Sequence, residues 1–146
     1  LRLEISTLAR CFSFVGEYLP VNSHYAISSL IYDAVFNDQI IIKGNGKAVR
    51  SYMYQDDLAI ALIKLILDDS PGYEIFNIGS DQPISILDLA KLIKKTLSSK
   101  KDIVVLDKLN NMKSNFYVPN IKKFNDKYNN LTEIEKSVIS CPSSKL

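Results

Sequence analysis

Residues with versatile side-chain chemistry are scarce in this chain. Its 146 residues hold two cysteines, Cys11 and Cys141, and a single histidine, His24. The cysteines lie far apart, without metal-ligand spacing or a second pair nearby, a pattern of reduced thiols in a cytoplasmic protein rather than a disulfide framework. No His/Cys/carboxylate cluster has the spacing of a metal site. Ser13, Ser85 and the cysteines have no base at a recognisable spacing, so nucleophilic catalysis has no support, and His24 reads as a surface residue at a helix start. Gly-x-Gly-x-x-Gly after a strand is also missing: Gly44-Asn45-Gly46 runs into Lys47 and another strand, so it is not a dinucleotide turn. No apolar run approaches the ~20 residues needed to cross a bilayer, nor does the sequence carry a signal-peptide pattern. Neither charge sign dominates. A net charge of +2 is too small to call for nucleic acid or an anionic membrane.

What remains has the make-up of a soluble globular domain, with 47% apolar and 23% charged residues. The lysines of Lys91–Lys101 and Lys108–Lys127 alternate with apolar positions and read as solvated helix faces and loops. Residues 3–12 mix β-branched and apolar side chains and predict a buried strand with Cys11 in the core. Beyond a loop punctuated by Gly16 and Pro20, Ser23 is expected to cap a helix over about 24–37, with Ile27, Leu30, Ile31, Ala34 and Val35 on one face. Further strands are expected at 40–42, 50–54, 73–78 and 103–106. A helix from about 56 to 68 is apolar nearly all round and is expected to be buried. Ser85 with Asp88 resembles a capping box for a helix to about Leu97, Asn120 is expected to cap a short helix to about Lys127, and Thr132 with Glu135 opens a last one. The order predicts an α/β fold of short strands and about five helices, with residues 141–146 a frayed tail. A parallel sheet needs cover on both faces, and these strands are too few for one. The chain also enters a strand at once, from Leu1-Arg2-Leu3, without an initiator methionine. Both features predict an interior piece of a longer protein whose main sheet lies elsewhere.

The sharpest local feature is Arg50-Ser51-Tyr52-Met53-Tyr54-Gln55-Asp56-Asp57 behind the Gly44-Asn45-Gly46 turn. A guanidinium stays charged and offers a rigid fork of donors, so beside a strand it calls for an anion. Two readings stand: an ion pair with Asp56 or Asp57, or an anion site completed by backbone N–H groups of the glycine turn. Asp56 is expected to cap the following helix. Asn77, at a strand end before Gly79-Ser80, is either a ligand contact or an Asx-type turn residue. Tyr117 is either a lid or a loop-packing ring.

These segments, in this order, resemble the C-terminal part of the NAD-dependent epimerase/dehydratase family, extended Rossmann-type short-chain dehydrogenases that act on nucleotide-sugars. Ala9-Arg10-Cys11-Phe12-Ser13-Phe14-Val15-Gly16 is similar to its Arg-x-Phe-Asn-x-x-Gly-Pro segment. Gly44 to Ala59 is similar to its Gly-x-Gly-x-x-x-Arg-Asp-aromatic-x-aromatic-Val-x-Asp-Leu-Ala block. Phe76-Asn77-Ile78-Gly79 is similar to its Tyr-Asn-x-Gly segment, and Tyr117-Val118-Pro119-Asn120 to the stretch before its last helices. The resemblance implies that residues 1–140 form the substrate-binding portion, with 1–12 a strand of the main sheet. It implies that Arg50 holds the diphosphate of a nucleoside-diphosphate sugar, that Ile41, Ile42 and Lys43 lie along the base, and that Asn77 and Tyr117 close over the nucleotide. It further implies a homodimer for the intact enzyme.

The departures are specific. Ser13 stands where the family has asparagine, Glu17 where it has proline and Ser51 where it has aspartate; the first two fall in the loop that contacts substrate, so the sugar is expected to differ from the familiar glucose and galactose derivatives. The family's glycine-rich NAD loop and Tyr-x-x-x-Lys both precede the segment matched by Arg10. Here Tyr25, Tyr32, Tyr52 and Tyr54 are followed four residues on by Ser29, Phe36, Asp56 and Leu58. The resemblance therefore implies that NAD is bound outside these residues, and that this chain alone is inactive. The alternative is a non-catalytic α/β module that binds a nucleotide or a protein.

Overall fold

The computed structural model describes residues 5–17, 25–70, 72–107 and 115–128. The expectations for Pro20, Ser23, His24, the helix after Thr132, Cys141 and the tail lie outside the described residues. The elements run β1 (Ile5–Cys11), β2 (Phe14–Val15), α1 (Ala26–Phe36), β3 (Gln39–Ile42), β4 (Val49–Arg50), β5 (Met53–Tyr54), α2 (Gln55–Ile66), β6 (Gly72–Ile78), β7 (Ile84–Ser85), α3 (Ile86–Thr96), β8 (Asp102–Val105), β9 (Phe116–Tyr117) and α4 (Lys122–Tyr128). The strands pair in small groups: β1 with β6, β2 with β5 and β3 with β8, all parallel, while β4 lies between antiparallel β7 and parallel β9. The expected α/β class holds, with four described helices.

Two cores organise the chain. In the first, the predicted apolar face of α1 meets that of α3 over β3, burying Ile27, Leu30, Ile31, Ala34, Ile40, Ile42, Leu89, Ala90 and Ile93. Both helices follow the 3.6-residue period, which is why this part was legible. The Ser85 cap also holds: its Oγ accepts from Asp88 N–H at 3.0 Å and donates to the Asp88 carboxylate at 2.6 Å. The second core joins α2, β6 and α4 through Met53, Ala61, Leu65, Phe76, Ile78 and Phe124.

Four expectations are corrected. Residues 50–54 are not one strand. β4 and β5 belong to different sheets, separated by the buried pair Ser51 and Tyr52. Helix α2 begins at Gln55, and Asp56 and Asp57 sit inside its first turn, where they favour the dipole but do not cap. Nor is α2 buried all round: Ala61 and Leu65 are covered, but Ile60, Ile63, Ile66 and Leu67 are exposed, because its one packed face lies on β6 and α4. Cys11, expected in the core, is exposed, because among the described residues β1 is hydrogen-bonded on one side only, to β6.

A buried carboxylate that sequence reading passed over fastens α1 to β3. Asp33 accepts from Asn37 Nδ2 at 2.7 Å and from Ile41 N–H at 2.9 Å. Asp33→Ala strands the Ile41 N–H at a sheet edge, so urea unfolding should register a loss of about 1–3 kcal/mol.

A second polar clamp holds α4. Lys127 Nζ bridges Asp68 at 2.5 Å and Glu74 at 2.9 Å, Tyr128 donates its hydroxyl to Asp68, and Lys123 reaches Glu74 at 3.2 Å. Hydrogen bonds from Lys127 are the largest cause holding both carboxyls below their ordinary values of 3.8 and 4.5. Groups depressed in the folded state stabilise it fully above those ordinary values, and the contribution is lost as pH falls through the lower folded values. Acid titration followed by circular dichroism should therefore find destabilisation starting below about pH 4.5, and Lys127→Met should flatten that acid limb.

Candidate functional site

The break between β4 and β5 positions the site. Because β4 ends at Arg50 and β5 starts at Met53, the intervening Tyr52 turns inward beside the loop that follows β1. That loop is tied in place by Phe12 N–H to the Ile78 carbonyl and by Met53 N–H to the Ser13 carbonyl, both at 3.0 Å. Between them lies a cavity of about 450 Å³ whose lining includes Ser13, Phe14, Tyr25, Ile27, Arg50 and Tyr52. Arg50 and Ser13, two of the residues singled out in the sequence, thus share one cavity.

Arg50 is held by carbonyls. Its Nη1 donates to Val49 O at 2.8 Å and to Asn115 O at 3.0 Å, and among the described residues it forms no ion pair with Asp56, Asp57 or any other carboxylate. With both carbonyls on Nη1, the rest of the guanidinium fork has no partner among the described residues. Tyr117 lies opposite Arg50 in the β4–β9 register, its ring centroid 6.0 Å from Cζ and 5.0 Å from the Phe12 ring. The aromatic ring is about half exposed. Arg50, Tyr117 and Phe12 therefore form one cluster at the cavity.

Asn77 and the glycine turn do other work. Asn77 Nδ2 donates to Asn120 O at 2.9 Å, fastening the end of β6 to the entry of α4 rather than closing a local Asx turn. Nearby, Gly79 is required by close approach, since a Cβ there would come within 3.1 Å of both Phe12 Cβ and Pro119 Cγ. The Gly44-Asn45-Gly46 turn, expected to lend N–H groups to the anion, instead caps α3: Leu87 N–H donates to Gly46 O at 3.0 Å and Ile86 N–H to Ala48 O at 2.9 Å. Lys47 N–H is spent on Asn45 Oδ1 at 3.0 Å. Ile42 points into the first core and presents no surface to a base, while Ile41 is half-buried and Lys43 exposed. Neither Ile42 nor Lys43 lines the cavity.

Sequence reading missed Tyr52 and Tyr25 as wall residues. The signal for Tyr52 is the Tyr52-x-Tyr54 alternation, which by itself predicts one regular strand. Burial pushes the Tyr52 phenol up to about 12, only partly opposed by Arg50, so it stays neutral at physiological pH and is a hydrogen-bonding group, not a base. The named lining residues offer hydrogen-bond donors and aromatic walls for an anionic ligand, with no carboxylate or imidazole among them. Among the described residues, no group of His, Cys, Asp and Glu is arranged to hold a metal ion. The described glycines do not make a dinucleotide cradle either: the carbonyl of Gly46 is committed to α3 and its φ of +75° serves that turn.

Comparison with known proteins agrees with this architecture. Residues 6–79 match the model of the NAD dependent epimerase/dehydratase family, just over half of the chain. GDP-L-fucose synthase 1 of Arabidopsis thaliana is 35% identical over 85 residues, 56% of this chain and 26% of that protein. UDP-glucuronic acid decarboxylase 1 of Xenopus tropicalis is 30% identical over 99 residues, 68% of this chain and 23% of that protein. The chain thus spans less than a third of the length of these curated relatives. Among solved structures, UDP-N-acetylglucosamine 4-epimerase from Methanobrevibacter ruminantium M1, in complex with UDP-N-acetylmuramic acid, superposes with a TM-score of 0.78 at 21% identity, over 92% of this chain and 44% of that one. dTDP-glucose 4,6-dehydratase from Bacillus anthracis str. Ames, in complex with NAD, gives 0.76 at 20% identity, over 92% and 42%. The fold is a part of this Rossmann-type α/β architecture. With the strand order, the arginine-bearing β4 and the family match in agreement, the chain belongs to the NAD-dependent epimerase/dehydratase family.

Proposed function

We propose that this chain supplies the nucleoside-diphosphate-binding side of an NAD-dependent nucleotide-sugar epimerase or dehydratase. The observation that carries the reading is Arg50 itself: a guanidinium at a 450 Å³ cavity, anchored through one nitrogen by two carbonyls, with no carboxylate to neutralise it among the described residues. Such a fork suits the oxygens of a diphosphate. Ser13 contributes a hydroxyl at the same cavity and Tyr117 closes its rim over the nucleotide. Asn77 acts there through Asn120, shaping the rim from behind. At the end of β3, exposed Lys43 and half-buried Ile41 lie along the base, with Ile42 behind them in the first core.

Ligand binding, not turnover, is the part assigned to these residues. NAD accepts and returns a hydride in such enzymes, and its cradle, with the Tyr-x-x-x-Lys pair, belongs to sequence other than this. The whole enzyme is cytoplasmic, in keeping with the free Cys11 thiol, and homodimeric, as the family resemblance implies. The reading includes neither nucleic acid nor a membrane as a partner, in keeping with a net charge of +2; no described helix is long and apolar enough to cross a bilayer.

Calorimetric titration with UDP, GDP and dTDP tests the reading. Arg50→Ala should weaken the bound nucleoside diphosphate about ten- to a hundredfold, the worth of a hydrogen bond to a charged group, while the melting temperature barely moves. A large stability loss with undiminished binding would make Arg50 a structural clasp. Supplied with NAD and any nucleotide-sugar, these 146 residues should form no product by chromatography; measurable turnover refutes the division of labour.

A further inference from the structure

Tyr52 poses a separate problem. The residue is only 5% exposed, and its ring is part of the first core with Ile27 and Val15. Buried hydroxyls are normally hydrogen-bonded, because an unpartnered one costs stability. Yet among the described residues the Tyr52 hydroxyl has no hydrogen-bond partner. The space that Tyr52 borders is the cavity it shares with Arg50 and Ser13.

A phenylalanine would fill the same core position without the polar penalty. Among the described residues the hydroxyl is therefore a local cost with no return, an arrangement characteristic of a ligand contact. We propose that Tyr52 is a further binding residue, whose hydroxyl donates a hydrogen bond to the anionic group held by Arg50. This rests on the reading of the cavity as a diphosphate site and adds to it a second, neutral donor. Burial keeps the phenol protonated far above physiological pH, so it remains a donor wherever the ligand is charged. A neutral donor beside a guanidinium grips an anion without a second buried positive charge, whose desolvation would be costly.

The experiment compares Tyr52→Phe and Arg50→Ala with the unaltered chain, using UDP, GDP and dTDP as probes, by calorimetric titration and by thermal melting without ligand. Tyr52→Phe should weaken binding about tenfold, as expected for a hydrogen bond to a charged group, and should leave the ligand-free melting temperature equal or higher. A structural hydroxyl would behave oppositely: the substitution would lower the melting temperature and spare affinity, and that result overturns the inference. If Arg50→Ala loses affinity while Tyr52→Phe binds as tightly as the unaltered chain, the diphosphate reading stands and the Tyr52 inference falls. If the unaltered chain binds none of the three probes, both fall.

Discussion

The arrangement depends on a change of sheet made within two residues. Ser51 and Tyr52 are buried between β4 and β5, and each neighbouring dipeptide pairs with different partners. A regular strand through 50–54 would alternate its side chains across one sheet. The break instead leaves Arg50 on a three-stranded sheet with Tyr117 and sends Met53 into the second core. Tyr52, between them, belongs to the first core and the cavity at once. One kinked segment thus connects both cores with the arginine.

Around that segment the chain uses backbone carbonyls where charged partners might be expected. Asn115 O accepts from both Val49 N–H and the Arg50 guanidinium, which orients the arginine without cancelling its charge. The contrast with α4 is instructive. There Lys127 is fully matched by Asp68 and Glu74, forming a clamp between elements. A cation satisfied by carboxylates is structural, whereas one held by neutral dipoles keeps its charge for something else.

How much of this was written in the sequence differs from element to element. The faces of α1 and α3, the Ser85 cap and the strand at β6 follow from period, cap chemistry and turn residues, which are local properties. The misreadings have tertiary causes. Hydrophobicity alone made α2 look enclosed, but Ile60, Ile63, Ile66 and Leu67 are exposed for want of a neighbour, which no single-helix pattern encodes. Ile42 looked like a strand edge and lies in the core, because β3 is covered by α1 and α3. For the site, Arg50 stood out as a charge in an apolar setting. Tyr52 did not, since the lack of a hydrogen-bond partner for its hydroxyl among the described residues is visible only once the neighbours are in place. Asn77 stands out at a strand end, but its hydrogen-bond partner Asn120 lies 43 residues away, beyond the reach of any local pattern.

The Gly44-Asn45-Gly46 turn gives the spacing to Arg50 a mechanical meaning. Two carbonyls, Gly46 O and Ala48 O, are pinned to successive N–H groups at the start of α3, and Arg50 follows the second by two residues. The helix end therefore acts as a fixed datum from which the arginine is measured out. One residue added or removed between Ala48 and Arg50 would turn the guanidinium to the opposite face of the strand, because strand side chains alternate. Substitutions of Lys47 or Val49 leave that measure intact. Length, more than residue identity, is what this connection has to preserve.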